Sequence, residues 1–237
     1  MKEQKEQYKC INCLAESDSL YQKYSEGVIR LTECKSCKKI VDRYIEYETV
    51  MVVVDMLLHY IEAYRHILYN MKIKNYTRLI VIFLFCDAYD KWITRKEAVG
   101  DAPIYELEWI FYIALLRSAT EMGVFILMVL GLEWLMRFKQ ADSNKIPSRW
   151  IFLMLSTILG FYGNVAVVLS IVFRLSDQLS YRLVLHLFLF ISHLQIQRSL
   201  FPSLSFAFNA LYVFLASGIS MISSNLLFTN SINKSIY

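Results

Sequence analysis

The chain has 237 residues, 56% of them hydrophobic, with a mean hydropathy of +0.38 and a formal charge of +4. So apolar a composition excludes an ordinary single soluble domain, where roughly 45–50% is usual, and so small and dispersed a charge excludes the clustered basic face of a nucleic-acid reader. Charge is also uneven: residues 1–49 hold nine Lys/Arg and nine Asp/Glu, whereas residues 150–173 hold none, so a soluble front precedes a membrane region.

Residues 1–9 are polar and charged with no apolar core, so no cleavable secretory signal is expected. Four of the five cysteines follow as Cys10-x2-Cys13-x20-Cys34-x2-Cys37. A two-residue spacer lets both thiolates of a tight turn reach one tetrahedral ion at about 2.3 Å, and two such knuckles close a four-cysteine zinc site. Two disulfides are the alternative. A redox Cys-x-x-Cys needs one active pair near a βαβ pattern, and here there are two pairs and no such pattern. Four thiolates fill the coordination sphere, so the expected zinc is structural and supplies folding energy that so short a segment lacks. Between the knuckles, Gly27 signals a turn and residues 28–32 are β-prone, which predicts a zinc-ribbon-like hairpin within a domain over residues 1–49. Cys86 reads as a packed free thiol.

The strings "YKCINC", "LYQKYSEGVIRLTECKSCKKIVDRYIEYE" and "DMLLHYIEAYRHILYN" resemble the homology domain of the Arv family over residues 8–70. That resemblance implies an endoplasmic-reticulum membrane protein that moves or distributes sterols and other lipids, with links to sphingolipids and to glycosylphosphatidylinositol intermediates. Beyond residue 70 only hydropathy matches, so nothing residue-specific is carried further.

Residues 42–70 contain no Gly or Pro and read as one amphipathic surface helix. Asp55, His59, Glu62 and His66 recur at i, i+4, i+7 and i+11, forming a polar stripe that could be a second metal or acid–base site or simply the solvated face. Arg65 and His66, in the AYRH string, are candidates for contact with the ribbon or with lipid headgroups.

A helical membrane region over residues 76–237 has four or five spans. Residues 150–173 are the clearest, since twenty-four uncharged residues exceed the ~20 needed for a ~30 Å core. Residues 183–197 and 204–228 are separated near Pro202, where a helix breaks. Residues 109–136 are long enough but contain Arg117 and Glu121, an i, i+4 pair that offsets the cost of burying either charge and is a candidate headgroup contact. Residues 79–92 are marginal, crossing only if neighbours shield their acids.

Thiolates hold zinc best in a reducing compartment, which places the N-terminus in the cytosol. The basic segment with Arg137, Lys139, Lys145 and Arg149 also prefers that side. Both hold together only if residues 79–92 cross. The fold class is therefore a mainly α multi-pass membrane protein with a small N-terminal zinc-ribbon-like domain. The function read from it is non-enzymatic lipid transport or its regulation. The alternatives are a lipid-modifying enzyme such as an acyltransferase, using His186 or His193 with a carboxylate, and a ribbon adaptor that recruits protein partners. No nucleic-acid partner is expected, because the first forty-nine residues are formally neutral.

Overall fold

The computed structural model describes residues 8–25, 28–71, 76–99, 104–138, 146–173 and 178–234. The chain divides into two compact units, residues 1–74 and 75–237. Gly27, Lys139 and Lys145 lie outside the described residues.

The first unit begins with two antiparallel ribbons. β1 (Tyr8–Lys9) pairs β2 (Glu16–Ser17), and β3 (Tyr21–Ser25) pairs β4 (Val28–Leu31), with a bulge between Lys23 and Ser25. One core cluster gathers at the knuckles: Cys10, Leu20, Cys34 and Val41 are buried, with Tyr8, Ala15, Cys37 and Ile45 around them. A cluster with so few apolar side chains gains from a further cross-link that offsets the ordering entropy of the ribbons.

The single helix expected over residues 42–70 is divided. A 3-10 turn (Arg43–Ile45) is capped by Asp42, α1 runs over Thr49–Leu57, α2 over Ile61–Arg65, and a π turn over His66–Asn70 ends the unit. The break falls at His59, whose φ of 59° is left-handed although it is not glycine. Tertiary contacts override local propensity here: Tyr64 is fully buried and its hydroxyl meets His59 Nδ1 at 2.8 Å, an arrangement a straight helix cannot make. The polar stripe is dispersed in consequence. Asp55 accepts from the Tyr44 hydroxyl (2.7 Å), His59 pairs with Tyr64, and His66 turns inward to Asp42. What remains outward on α1 is apolar: Val50, Met51, Val53, Leu57 and Leu58 are all exposed.

The second unit is helical throughout: α3 (Tyr76–Val99), α4 (Ile104–Phe138), α5 (Ile146–Leu159), a 3-10 stretch (Gly160–Ala166), α6 (Val167–Phe173), α7 (Leu179–Leu200) and α8 (Phe206–Lys234). Four helical stretches are long and apolar enough to cross a membrane: Leu107–Arg137, Arg149–Phe173, Leu179–Leu200 and Phe206–Phe228. The break between the last two surrounds Pro202. Large apolar side chains such as Val172, Leu183, Phe214 and Leu226 point outward from them, as lipid-facing positions do in a bilayer where helix interiors gain nothing by hiding leucine.

The Arg149–Phe173 stretch tightens to 3-10 geometry where Gly160 meets the neighbouring α7. A Cβ at Gly160 would lie 2.4 Å from His193 Nδ1, so only glycine admits so close an approach. Ser192 Oγ donates to the Gly160 carbonyl at 3.0 Å. α3 runs alongside the first half of α4: Phe83 packs with Met122, and Trp92 Nε1 donates to the Leu107 carbonyl at 2.9 Å.

Candidate metal centre

The two Cys-x-x-Cys segments fold alike. In the first, Leu14 N–H donates to Cys10 C=O (2.9 Å) and Cys10 N–H to Ala15 C=O (2.9 Å); in the second, Lys38 N–H donates to Cys34 C=O (3.0 Å) and Cys34 N–H to Lys39 C=O (2.8 Å). The residue after each second cysteine is left-handed, Leu14 at φ 64° and Lys38 at φ 60°. Neither leucine nor lysine favours that region, which costs about 1–2 kcal/mol per residue, so the closed turn imposes it.

The turns face each other. Ile11 N–H donates to Val41 C=O (2.9 Å), and all four Sγ atoms lie within 4.8 Å of one another. Cys10 and Cys37 Sγ are 3.8 Å apart, Cys13 and Cys34 Sγ 3.6 Å, and all four thiols are free. A tetrahedron of thiolates about 2.3 Å from one ion has edges of about 3.8 Å, so the donor set fits a four-coordinate metal such as zinc. The Cys37 backbone N–H points at Cys34 Sγ. Against the opposing effect of burial it joins the Ser36 N–H and the neighbouring thiols in pulling Cys34 down to about 7 from 9.0, favouring the ligating thiolate. Among the described residues this is the one grouping of three or more His, Cys, Asp or Glu able to hold a metal ion; the Asp55–His59–Glu62–His66 series forms none.

A second, buried network ties this centre to the end of the unit. The Asp42 carboxylate is fully buried and accepts three hydrogen bonds: from Tyr44 N–H (3.0 Å), from His66 Nδ1 (2.6 Å) and from Asn70 Nδ2 (2.7 Å). The Asn70 amide also brackets Lys9, taking its N–H and donating to its C=O, both at 2.9 Å. Arg65 Nη1 donates to the carbonyls of Ile11 (2.9 Å) and Asn12 (2.6 Å), inside the first knuckle. Arg65 and His66 therefore bond within the ribbon unit. Burial pushes the Tyr44 hydroxyl up to about 12, so at neutral pH it stays a donor to Asp55. An open cleft of about 400 Å³ lies beside the knuckles, bordered by Lys38, Arg43, Glu33 and Glu62.

In the helical unit, Arg117 and Glu121 pair as their spacing predicts, Nε to Oε1 at 3.0 Å, but they are part of a larger assembly. Lys91 on α3 donates to Glu121 Oε2 (2.7 Å) and to Ser118 Oγ (3.1 Å), and also bonds Asp87. From α8, Ser224 Oγ donates to Glu121 Oε1 (2.6 Å) while Asn225 Oδ1 accepts from Arg117 (2.6 Å). Three helices thus converge on one carboxylate. Lys91 went unnoticed in the sequence, although Asp87 and Lys91 stand at the i, i+4 spacing that signals a pair. Asp42 and Asn70 were also missed as a unit, because each reads locally as a cap or a surface residue.

Of the two histidines considered for catalysis, His193 is buried with its ring 4.3 Å from that of Phe125 and 4.4 Å from that of Phe161, a packing position. His186 lies within electrostatic reach of Asp90 on α3, as does Arg182.

Comparison with known proteins agrees with this architecture. The sequence profile of the Arv1-like family matches residues 9–196, which take in both knuckles and the helices through most of α7. Protein ARV1 of Mus musculus is 33% identical over 172 residues, covering 70% of this chain and 64% of the mouse protein. Protein ARV1 of Homo sapiens is 33% identical over 173 residues, covering 71% of this chain and 63% of the human protein. Protein arv1 of Schizosaccharomyces pombe reaches 47% identity over 64 residues, 26% of this chain and 24% of its own. The chain therefore spans a little under two thirds of the length of the mouse and human relatives. No solved structure matches. A four-cysteine ribbon followed by membrane helices, and a profile that runs across both, place the chain in the Arv1-like family.

Proposed function

We propose that this protein mediates or regulates the transport and homeostasis of sterols and other lipids in the endoplasmic-reticulum membrane, including the supply of sphingolipids or glycosylphosphatidylinositol intermediates. Membership of the Arv1-like family is the observation that carries this reading. The division of the chain into a polar ribbon and an apolar helical unit supports it, because only the helices are able to shield a sterol or acyl chain from water.

Zinc, held by Cys10, Cys13, Cys34 and Cys37, supplies folding energy to the ribbon and leaves no open coordination position. Asp42, His66, Asn70 and Arg65 then fix the π turn against the first knuckle, and α1 carries its exposed apolar side outward to the headgroup boundary. We place the ribbon in the cytosol, where thiolates stay reduced. α3 crosses as a fifth span, its Lys91 neutralised by Asp87 and Glu121, which brings the segment between α4 and α5 to the same side as the ribbon. Arg117, Glu121 and Lys91 form a polar station along that path and are assigned contact with a lipid's polar end.

Two observations favour other readings. His186 near Asp90 and Arg182 is the grouping an acyl-transferring enzyme would use, and the mixed-charge cleft beside the knuckles is where an adaptor would receive a protein partner. The deciding experiment is lipid analysis of the purified full chain together with a photo-crosslinkable sterol. Copurified sterol and label on α4 and α8 are the expected result. Turnover of a defined lipid, abolished by His186→Ala, would transfer the assignment to an enzyme, and rescue of lipid distribution by residues 1–70 alone would transfer it to an adaptor.

A further inference from the structure

The α4–α5 corner carries a charge arrangement that none of the foregoing uses. Glu133 lies one turn inside the end of the Leu107–Arg137 span, with its side chain only 5% exposed. Its Oε1 accepts from Arg137 Nε at 2.7 Å and from Arg149 Nε at 2.5 Å, and its Oε2 accepts from Arg149 Nη2 at 3.2 Å. One carboxylate therefore serves two guanidinium groups, and the trio keeps a net positive charge.

Position and geometry make that surplus consequential. Arg137 is the last residue of one span and Arg149 the first of the next, so both stand at the same membrane boundary. Their side chains are 27% and 39% exposed, half withdrawn from water, where an unbalanced charge is costly. Each guanidinium turns its Nε edge inward to Glu133. Both Nη groups of Arg137 and Nη1 of Arg149 have no acceptor among the described residues. These are planar donor groups held near one another by a shared carboxylate, the geometry that takes a phosphate through several N–H bonds. Trp134, more than half exposed one residue from Glu133, has the amphipathic ring that settles at headgroup level.

We propose that Arg137 and Arg149, braced by Glu133, form a binding site for the phosphate of an anionic membrane lipid at the α4–α5 corner. The site rests on the membrane-spanning arrangement of these helices and is independent of which lipid the protein transports. Phosphatidate, with its exposed phosphate monoester, is the simplest probe, and free phosphate shares its chemistry.

The full chain is reconstituted in vesicles of phosphatidylcholine with or without phosphatidate, and lipid retained by the protein is measured after detergent extraction. Phosphatidate is expected to be enriched over phosphatidylcholine, and Arg137→Gln and Arg149→Gln each to lower that enrichment about fivefold. Lys35→Gln, which removes an equal charge from the ribbon surface, leaves it unchanged. Equal loss in the Lys35 variant, or none in the arginine variants, overturns the proposal. So does displacement of the lipid by excess inorganic phosphate, which would mark a site for a soluble anion. Should the arginine variants fail to fold, Glu133→Gln decides: it frees both guanidiniums, so its thermal stability is expected to fall in phosphatidylcholine and to be restored by phosphatidate. A variant equally unstable in both vesicles makes the trio a helix clamp only. Sterol crosslinking to α4 and α8 is unaffected in every arm, so failure here does not touch the transport reading.

Discussion

At the residue scale, the ribbon unit depends on a few side chains whose partners lie far away in sequence. Asp42 serves Tyr44, His66 and Asn70 at once, so Asp42→Ala orphans the buried Tyr44 and His66 donors and removes one acceptor from Asn70; destabilisation of about 2–4 kcal/mol is expected in thermal or denaturant unfolding of the full chain. His59 adds a pH dependence. Burial lowers its pKa below the ordinary value of about 6.5, so the folded unit prefers the neutral ring. Its contribution is complete above that value and is lost as pH falls below it toward the folded pKa. Loss of thiolate ligands acts in the same direction, and a substitution separates the two. Asn tolerates the left-handed backbone at this position, so His59→Asn retains the turn at φ 59° while removing part of the acid sensitivity. Hydrogen exchange of residues 8–70 at pH 7.5 and 5.5 shows it: a smaller acid-induced loss of protection in the variant is the expected outcome, and identical losses would remove His59 from the account.

At the element scale, much was legible and the failures have physical causes. The cysteine spacing gave the knuckles, because four ligands around one point constrain sequence strongly. The spans were legible too, since twenty uncharged residues have few other uses. The segment at residues 42–70 was not: its pattern suits a helix, yet the burial of Tyr64 and the turn of His66 toward Asp42 bend it at His59, and such contacts leave no local signature. α3 was the other obscure element, because its Lys91 finds an acidic partner, Glu121, on α4 that hydropathy does not see. The Arg117–Glu121 pair correspondingly becomes a triad with unequal members. If Glu121 is lost, Lys91 keeps Asp87 and Arg117 keeps Asn225, but both lose the shared carboxylate; if Arg117 is lost, Glu121 still holds Lys91 and Ser224. Glu121→Gln is therefore expected to destabilise the helical unit more than Arg117→Gln or Lys91→Gln, with a coupling of about 0.5–3 kcal/mol between Glu121 and Lys91 in a double-mutant cycle. Additive effects, or a larger cost for Arg117, would contradict the shared carboxylate.

At the scale of the whole molecule, the two units differ in what holds them: a metal-sized cage and a buried polar network in one, apolar helix packing in the other. Cys34→Ser should unfold residues 8–70 and abolish metal content, measured as zero in place of one ion per chain, while protease protection of α4 through α8 stays as in the parent. Loss of span insertion in that variant would mean that the ribbon guides membrane assembly. The bracket between Lys9 and Asn70 bears on that question through the order of synthesis. The four ligands have all left the ribosome once Cys37 is free, but the clasp on Lys9 and the Asp42 carboxylate waits for Asn70, only six residues before α3 begins at Tyr76. The buried network of the first unit is thus complete just as the first helix of the second unit is due to emerge. A growing chain that reaches this point already owns a closed head, and the nascent membrane helices are drawn into the bilayer behind a domain that has finished folding.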